Sequence, residues 1–178
     1  MIRKAALAGA VSLLALFGVE ATSAESITEK IGVNALLGVS PSTPDFVRQA
    51  AIGDMFGIES GMLAREKGNA ATRAFAEKLV ADHGAASGSL RAAMAEQSVK
   101  VDAPHALDTP AQSRMNALKA LSGEEFDQRF KDDQVKAHKE AIDLYERYAG
   151  GGDNEALKRW AEAALPGLRA HLDMAEKL

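Results

Sequence analysis

The sequence contains no cysteine, which excludes disulfide bonds, thiolate metal ligands and a lipid-modified cysteine. Aromatic residues are also scarce: one tryptophan, two tyrosines and six phenylalanines stand among 178 residues. No stretch alternates polar and apolar residues for long enough to predict a β-strand, whereas alanine is abundant. This composition predicts an all-α protein whose helices pack closely through small side chains.

A strong charge of either sign is missing as well. The formal net charge is −4, and no basic stripe runs along the chain. Removing the first 24 residues, which carry two basic residues and one acidic residue, would bring the charge to about −5. We therefore expect no nucleic-acid partner. The partner classes left open are a second copy of the chain and another protein of the cell envelope.

Long apolar runs are absent except at the N-terminus. There, residues 5–19 follow a basic dipeptide and precede a group of small residues. The run is about 15 residues long, whereas a membrane-spanning helix needs roughly 20. We predict a signal peptide over residues 1–24, cleaved after Ala24 or Ala21, with an uncleaved anchor as the alternative. The mature protein would then be periplasmic, without a transmembrane segment.

Beyond the signal, helix-forming patterns divide the chain into a leader and one domain. Residues 25–42 mix glycine, proline and apolar residues and indicate a weakly ordered leader or a short helix. Residues 43–178 predict a helical bundle domain. Its four long helices cover about residues 43–67, 70–97, 124–149 and 153–178. The connector between the second and third contains a short extra helix beginning at residues 108–110, so we predict a four-helix bundle.

Capping and helix-breaking residues set these boundaries. Thr43 is a good N-cap with Pro44 at the first helical position, and Gly68 stops the first helix. The glycines at 150–152 are expected to end the third long helix, and Asp153 to cap the fourth. A proline at position 166 predicts a kink inside that last helix.

Histidines are the most informative residues of the predicted bundle. His83, His138 and His171 each stand three or four residues from apolar residues on both sides, so each belongs to the inward-facing stripe of its own helix. His105, in the connector, does not share this pattern. Three helices therefore direct one imidazole each toward the interior.

The depths of these rings follow from helical rise, if the bundle runs up-down-up-down and both hairpin turns lie at one end. His83 then lies roughly 20 Å and His138 roughly 17 Å from the turns, whereas His171 lies roughly 27 Å away. We therefore expect the first two rings at one level and His171 one to two turns deeper. Asp54 or Glu59 would approach from the first helix.

Two interpretations of the three histidines remain open. One is a transition-metal site for zinc, iron or copper, with a carboxylate from Asp54, Glu59 or Asp82 beside the imidazoles. In the other, each ring is a buried polar side chain satisfied by hydrogen bonds. Burying several unpartnered imidazoles is costly, which favours the metal. No histidine follows a Glu by three residues, so the pattern is unlike a di-iron oxidase.

Six segments of the chain resemble a family of exported bacterial proteins, the domain-of-unknown-function family 4142, whose members are often labelled outer membrane proteins. The matching segments are residues 46–51 (FVRQAA), 59–64 (ESGMLA), 75–83 (FAEKLVADH), 121–127 (LSGEEFD), 134–138 (QVKAH) and 165–172 (LPGLRAHL). The resemblance covers residues 44–178 and implies a ferritin-like antiparallel four-helix bundle. It also places the three histidines on family positions.

The chain departs from the family pattern at two positions. Gly57 stands where the family commonly has a Glu, and Phe130 where it often has a Tyr. On this basis Gly57→Glu is expected to strengthen metal binding. The resemblance implies no activity.

Three function classes follow, in decreasing order of support. The first is a non-enzymatic periplasmic bundle that binds a transition metal through His83, His138 and His171. The second is a structural, stress-related or interaction protein of the envelope whose histidines only complete the core. An enzyme comes last, because no serine has an acid–base partner at a recognisable spacing.

Overall fold

A computed structural model describes residues 37–178, and within this range all regular secondary structure is helical. Its five helices are α1 (Thr43–Lys67), α2 (Ala70–Glu96), α3 (Thr109–Ala120), α4 (Gly123–Gly151) and α5 (Glu155–Glu176). None of these helices combines the length and the apolar character that crossing a membrane requires. The predicted signal peptide and most of the predicted leader lie outside the described residues.

Two helix boundaries differ from the sequence-based expectation. Ser42, not Thr43, is the N-cap of α1, and its side chain accepts a hydrogen bond from the backbone N–H of Asp45. The helix α4 continues through Gly150 and Gly151, and its C-cap is Gly152, whose N–H donates to the Tyr148 carbonyl over 2.7 Å. Gly–Gly is therefore tolerated in the last turn, where the buried Tyr148 anchors the helix.

The N-cap of α5 also differs from the prediction. Asn154 caps this helix by accepting hydrogen bonds from the N–H groups of Ala156 and Leu157. Asp153, the predicted cap, is used across the fold, because its carboxylate accepts hydrogen bonds from the backbone N–H and the hydroxyl of Thr43. The sequence offered two adjacent capping residues, and a tertiary contact decided between them.

Contacts at the helix ends establish the direction of each helix. The start of α1 meets the end of α4, where the rings of Phe46 and Tyr148 stack with centroids 3.9 Å apart. At the opposite end Lys67 donates a hydrogen bond of 2.8 Å to the Leu121 carbonyl, just before α4 begins. The helices α1 and α4 are therefore antiparallel. We call these two ends of the molecule the Tyr148 end and the Phe126 end.

The helices α2 and α4 run in the same direction. Near the end of α2, Ser89 accepts a hydrogen bond of 3.0 Å from the indole of Trp160, which lies near the start of α5. The α1–α2 turn is thus at the Phe126 end and the α4–α5 turn at the Tyr148 end. This corrects the assumption that both turns share one end. Residues 97–122, including α3, carry the chain back along the whole length of the bundle.

The interior consists of two apolar clusters with a polar layer between them. The Tyr148-end cluster contains Phe46, Val47, Ala50, Leu90, Met94, Leu144, Tyr145, Tyr148, Leu157, Ala161 and Leu165. The Phe126-end cluster contains Phe56, Ala64, Phe75, Ala76, Leu79, Ala111, Met115, Leu118, Phe126, Phe130 and Ala175. The polar layer, which we call the histidine layer, comprises Asp54, Ser60, His83, Gln134, His138 and His171, all buried.

Candidate metal centre

The structure brings the three predicted histidines together at the centre of the bundle. His83, His138 and His171 are each at least nine-tenths buried, and their ring centroids are 5.4–5.7 Å apart. One ligand atom of each residue lies within 4.8 Å of the other two. The expectation that His171 lies one to two turns deeper is therefore wrong.

Helix direction explains why the rings share one level. Measured from the Tyr148 end, His83 and His138 each lie about 13 residues into their helices and His171 about 16, a difference of roughly 4.5 Å. In a helix each Cα–Cβ bond tilts toward the N-terminus. Because α5 runs opposite to α2 and α4, the His171 side chain leans back toward the Tyr148 end while the other two lean away from it. The three rings converge.

On each ring one nitrogen has an acceptor. The three contacts, each 2.8 Å, are His83 Nδ1 to Asp54 Oδ1, His138 Nδ1 to the Gln134 carbonyl, and His171 Nε2 to Asp82 Oδ2. A carbonyl or a carboxylate can only accept, so each of these ring nitrogens is the N–H donor. In a neutral imidazole the other nitrogen then carries a lone pair.

The lone-pair nitrogens are His83 Nε2, His138 Nε2 and His171 Nδ1. All three are buried and have no hydrogen-bond partner within the described residues. Each ring thus resembles a metal ligand in its tautomer and support, because metal-binding histidines donate their other N–H to a carboxylate or a carbonyl.

Of the two carboxylates predicted to approach from α1, Asp54 reaches the histidines and Glu59 does not. Asp54 is only 3 % exposed, and its second oxygen accepts a hydrogen bond of 3.1 Å from the Ser87 hydroxyl. It therefore lies behind the His83 ring. Glu59 is exposed and makes no contact with the three rings among those the structure records. Five residues of helix rotate it by about 140° from Asp54, which removes it from the inward face.

Gln134 belongs to this layer and was not predicted. Its amide nitrogen donates to the Ser60 hydroxyl over 2.9 Å, and that hydroxyl donates to the Phe56 carbonyl over 2.6 Å. The direction of these two hydrogen bonds leaves the Gln134 side-chain oxygen as an acceptor, and it has no partner among residues 37–178. The available signal was its position four residues before His138, on the same helical face.

Gly57 is in direct contact with the site. A Cβ atom at this position would stand 2.7 Å from Cδ2 and 3.0 Å from Nε2 of His83. Any side chain here would displace the ring and its lone-pair nitrogen. The expectation that Gly57→Glu strengthens binding therefore does not hold for this packing, since His83 occupies the space that the new side chain would need.

Burial keeps two of the rings neutral. Desolvation lowers the pKa of His138 to about 3, despite its hydrogen bond to the Gln134 carbonyl. Desolvation also lowers the pKa of His171, and the Asp82 carboxylate only partly offsets it. Neutral imidazole is the form that binds a metal, so neither ring needs to lose a proton at pH 7.

The ligand atoms of the three histidines are slightly farther apart than a bound metal ion requires. Zinc–nitrogen bonds of about 2.0–2.1 Å place tetrahedral ligand atoms roughly 3.4 Å apart. The present atoms lie within 4.8 Å, so binding would draw them together by at most about 1.4 Å. Side-chain torsions of three histidines can supply this change without moving the helices.

Comparisons with known proteins identify the family of the chain but give no activity for it. A family model described as a domain of unknown function (DUF4142) matches residues 29–178. No curated protein and no solved structure matches the chain. The match spans all five helices and the three histidines.

Proposed function

This chain belongs to the DUF4142 family, a domain of unknown function, and from its geometry we propose that it binds a transition metal ion through His83, His138 and His171. The observation that carries the proposal is the convergence of three buried histidines, each of which has one ring nitrogen without a partner among the described residues. Each unpartnered buried polar atom costs roughly 1–3 kcal/mol. A bound metal ion would give each of the three ring nitrogens a partner and so remove this destabilisation.

The donor set favours zinc or copper over iron. All three donors are imidazole nitrogens, the chain has no cysteine, and the nearest buried carboxylate, Asp54, is engaged with His83 and Ser87. Imidazole ligands suit zinc, copper, nickel and iron, and among divalent first-row ions copper binds nitrogen sites most tightly. Three histidines with a fourth position open is also a known zinc arrangement.

We further propose a ferritin-like four-helix arrangement with metal chemistry unlike that of the ferritins. Two antiparallel hairpins, α1–α2 and α4–α5, joined by one long crossover support the arrangement. The residues three positions before the histidines are valine, valine and leucine, whereas di-iron proteins of this architecture have glutamates there. The role proposed is therefore metal holding in the periplasm rather than oxidation.

Metal analysis tests the proposal directly. Mature protein purified without an affinity tag should bind one Zn²⁺ or Cu²⁺ per chain by calorimetry and elemental analysis. His138→Gln should weaken binding by at least about a hundredfold, whereas His105→Gln, at an exposed connector position, is the matched control and should bind normally.

Thermal unfolding supplies an independent measure of the same event. At a free metal concentration of 100 times the dissociation constant, binding should stabilise the fold by about 2.7 kcal/mol. No bound metal and no stabilisation by either ion would reject the proposal. The histidines would then only complete the core of a structural or interaction protein of the envelope.

Export is tested separately from metal binding. A cleaved signal supports a periplasmic location, so mass spectrometry of a periplasmic extract should find a mature chain beginning at Glu25 or Thr22. An intact Met1 start would contradict the proposed export route.

A further inference from the structure

A groove of about 530 Å³ between α2 and α5 leads from the surface to the histidine layer. At its inner end stand the buried residues His83, His171 and Asp54, and Asp82, which supports His171, lines the groove as well. His138 does not line the groove and forms the back of the site. The side of the three-histidine site that lies nearest the groove is therefore the side formed by His83 and His171.

Small residues on both helices leave this space unfilled. Ala85 and Ala86 of α2 face Ala163, Ala164 and Gly167 of α5 across the groove. Larger side chains at these positions would bury more apolar area and close the interface between the helices. The groove is thus a consequence of residue choice along two facing helix surfaces.

The walls of the groove include the tryptophan and one of the two tyrosines of the chain. Trp160 is the only tryptophan, and its ring centroid lies 5.6 Å from that of Tyr145. Both line the groove, together with Leu168. Flat rings and aliphatic side chains offer a surface for an apolar ligand body, with few directional contacts.

The charges in the groove restrict the ligand further. Asp54 is buried, and the Asp82 side chain is 43 % exposed at the mouth, where Lys78 also contacts it. Both carboxylates line the groove and would repel an anionic ligand there, although Lys78 offsets part of the charge of Asp82. A neutral donor meets no such repulsion.

We infer that this groove is a binding site for a small neutral molecule that has an aromatic nitrogen donor on a flat apolar body. The donor would occupy the fourth position on the metal, and the body would lie against Trp160 and Tyr145. This inference rests on the proposed function, because it assigns the ligand class of the same metal site.

The test uses Co²⁺-loaded protein, because the visible absorption of Co²⁺ changes when a new ligand binds. The probes are 4-phenylimidazole as the neutral ligand and azide as the anion, and Trp160 emission gives a second readout near the site. Gly167→Phe fills the groove, since a Cβ there meets nothing within 4 Å. Gly88→Phe is the matched control, at an exposed α2 position that is equally open and outside the groove.

We expect 4-phenylimidazole to shift the cobalt spectrum and Trp160 emission of the wild-type protein and to bind more tightly than azide. Gly167→Phe should weaken its binding by at least about tenfold, and Gly88→Phe by less than about twofold. Metal binding without a response to 4-phenylimidazole, or an equal response in both variants, would overturn this inference alone. Tighter binding of azide would overturn the ligand class. Failure to bind Co²⁺, Zn²⁺ or Cu²⁺ would overturn the proposed function and this inference together.

Discussion

The histidine layer and the two apolar clusters that enclose it are built by different rules. In the Phe126-end cluster, rings such as Phe75, Phe126 and Phe130 pack edge-on or stacked with centroids about 6.1 Å apart. In the layer between the clusters, the buried side-chain atoms without a partner are three ring nitrogens and one amide oxygen. Within the described residues, no buried side-chain nitrogen or oxygen outside this layer lacks a hydrogen-bond partner.

This difference shows where the fold departs from maximal stability. An apolar cluster gains free energy from each buried side chain, whereas a polar atom without a partner loses it. A third layer of apolar side chains would satisfy the packing of the bundle equally well. The layer is therefore the region whose residues need an explanation beyond folding, and the following predictions test the contrast.

The largest expected effect comes from an apolar cluster. Phe130 is fully buried, so Phe130→Ala should lower the free energy of unfolding by about 3–5 kcal/mol, measured by urea denaturation. In metal-free protein, His138→Leu should lower the free energy of unfolding by less than about 1 kcal/mol, or raise it, because the substitution replaces an unpartnered nitrogen with apolar atoms. Equal losses in the two variants would show that the histidine layer behaves as ordinary core.

The second effect is a loss of stability in acid that originates in the layer. The folded pKa of His138 is lowered to about 3, whereas the unfolded value is near 6.5. The unfolded state therefore takes up the proton first, and the contribution of neutral His138 is complete above pH 6.5 and lost progressively from there toward pH 3. The loss should approach about 1.4 kcal/mol per pH unit.

This contribution is measured on metal-free protein by unfolding at pH 7.5, 6.0 and 5.0. His138→Leu removes the titrating ring, so its free energy of unfolding should fall less steeply with pH than that of the wild type. Identical slopes would mean that His138 is not held neutral in the folded protein.

The third effect concerns the carboxylates behind the rings. Asp54→Asn removes the buried negative charge that supports His83 and should weaken Zn²⁺ binding by about 10–100-fold in calorimetry. Asp82→Asn should have a smaller effect, because Asp82 is partly exposed and water screens its charge. The reverse order would indicate that His171, not His83, depends most on its carboxylate.

The smallest effect distinguishes two glycines of α1. Gly53 faces open space, so Gly53→Ala should raise the free energy of unfolding by about 0.5–1 kcal/mol. Gly57→Ala should forfeit this gain and weaken Zn²⁺ binding by about 3–10-fold, because the new methyl group displaces the His83 ring. Zinc affinities that are the same in both variants would show that the ring adjusts freely.

Local sequence patterns predicted much of the fold. The start of α2 at Ala70 and the short helix beginning at Thr109 agree with the structure, since caps and prolines act within one helical turn. The periodicity around His83, His138 and His171 correctly placed these side chains in the interior. The choice of Asn154 over Asp153 as a cap was not predictable, because it depends on Thr43, which stands 110 residues earlier in the sequence.

The candidate site was predictable in composition but not in geometry. Local spacing shows which face of a helix a residue occupies, yet not the direction in which the next helix runs. The long crossover containing α3 reverses the assumed direction of α4, so α2 and α4 tilt the His83 and His138 side chains the same way and α5 tilts His171 toward them. The hydrogen bonds of Gln134 and Ser87 were missed because contacts between helices leave no periodic signal, although spacing puts Gln134 on the same helical face as His138.

The sequence by itself determined that the described chain is helical, which faces its helices bury, and that three imidazoles belong to those faces, because these properties depend on residues within a few turns of one another. Only the tertiary structure decided that the three rings meet at one level, that Asp54 lies behind His83 while Glu59 is exposed, and that Gly57 leaves room for a ring. Those features depend on helix direction and on distances between helices, which are properties of packing and not of any single segment.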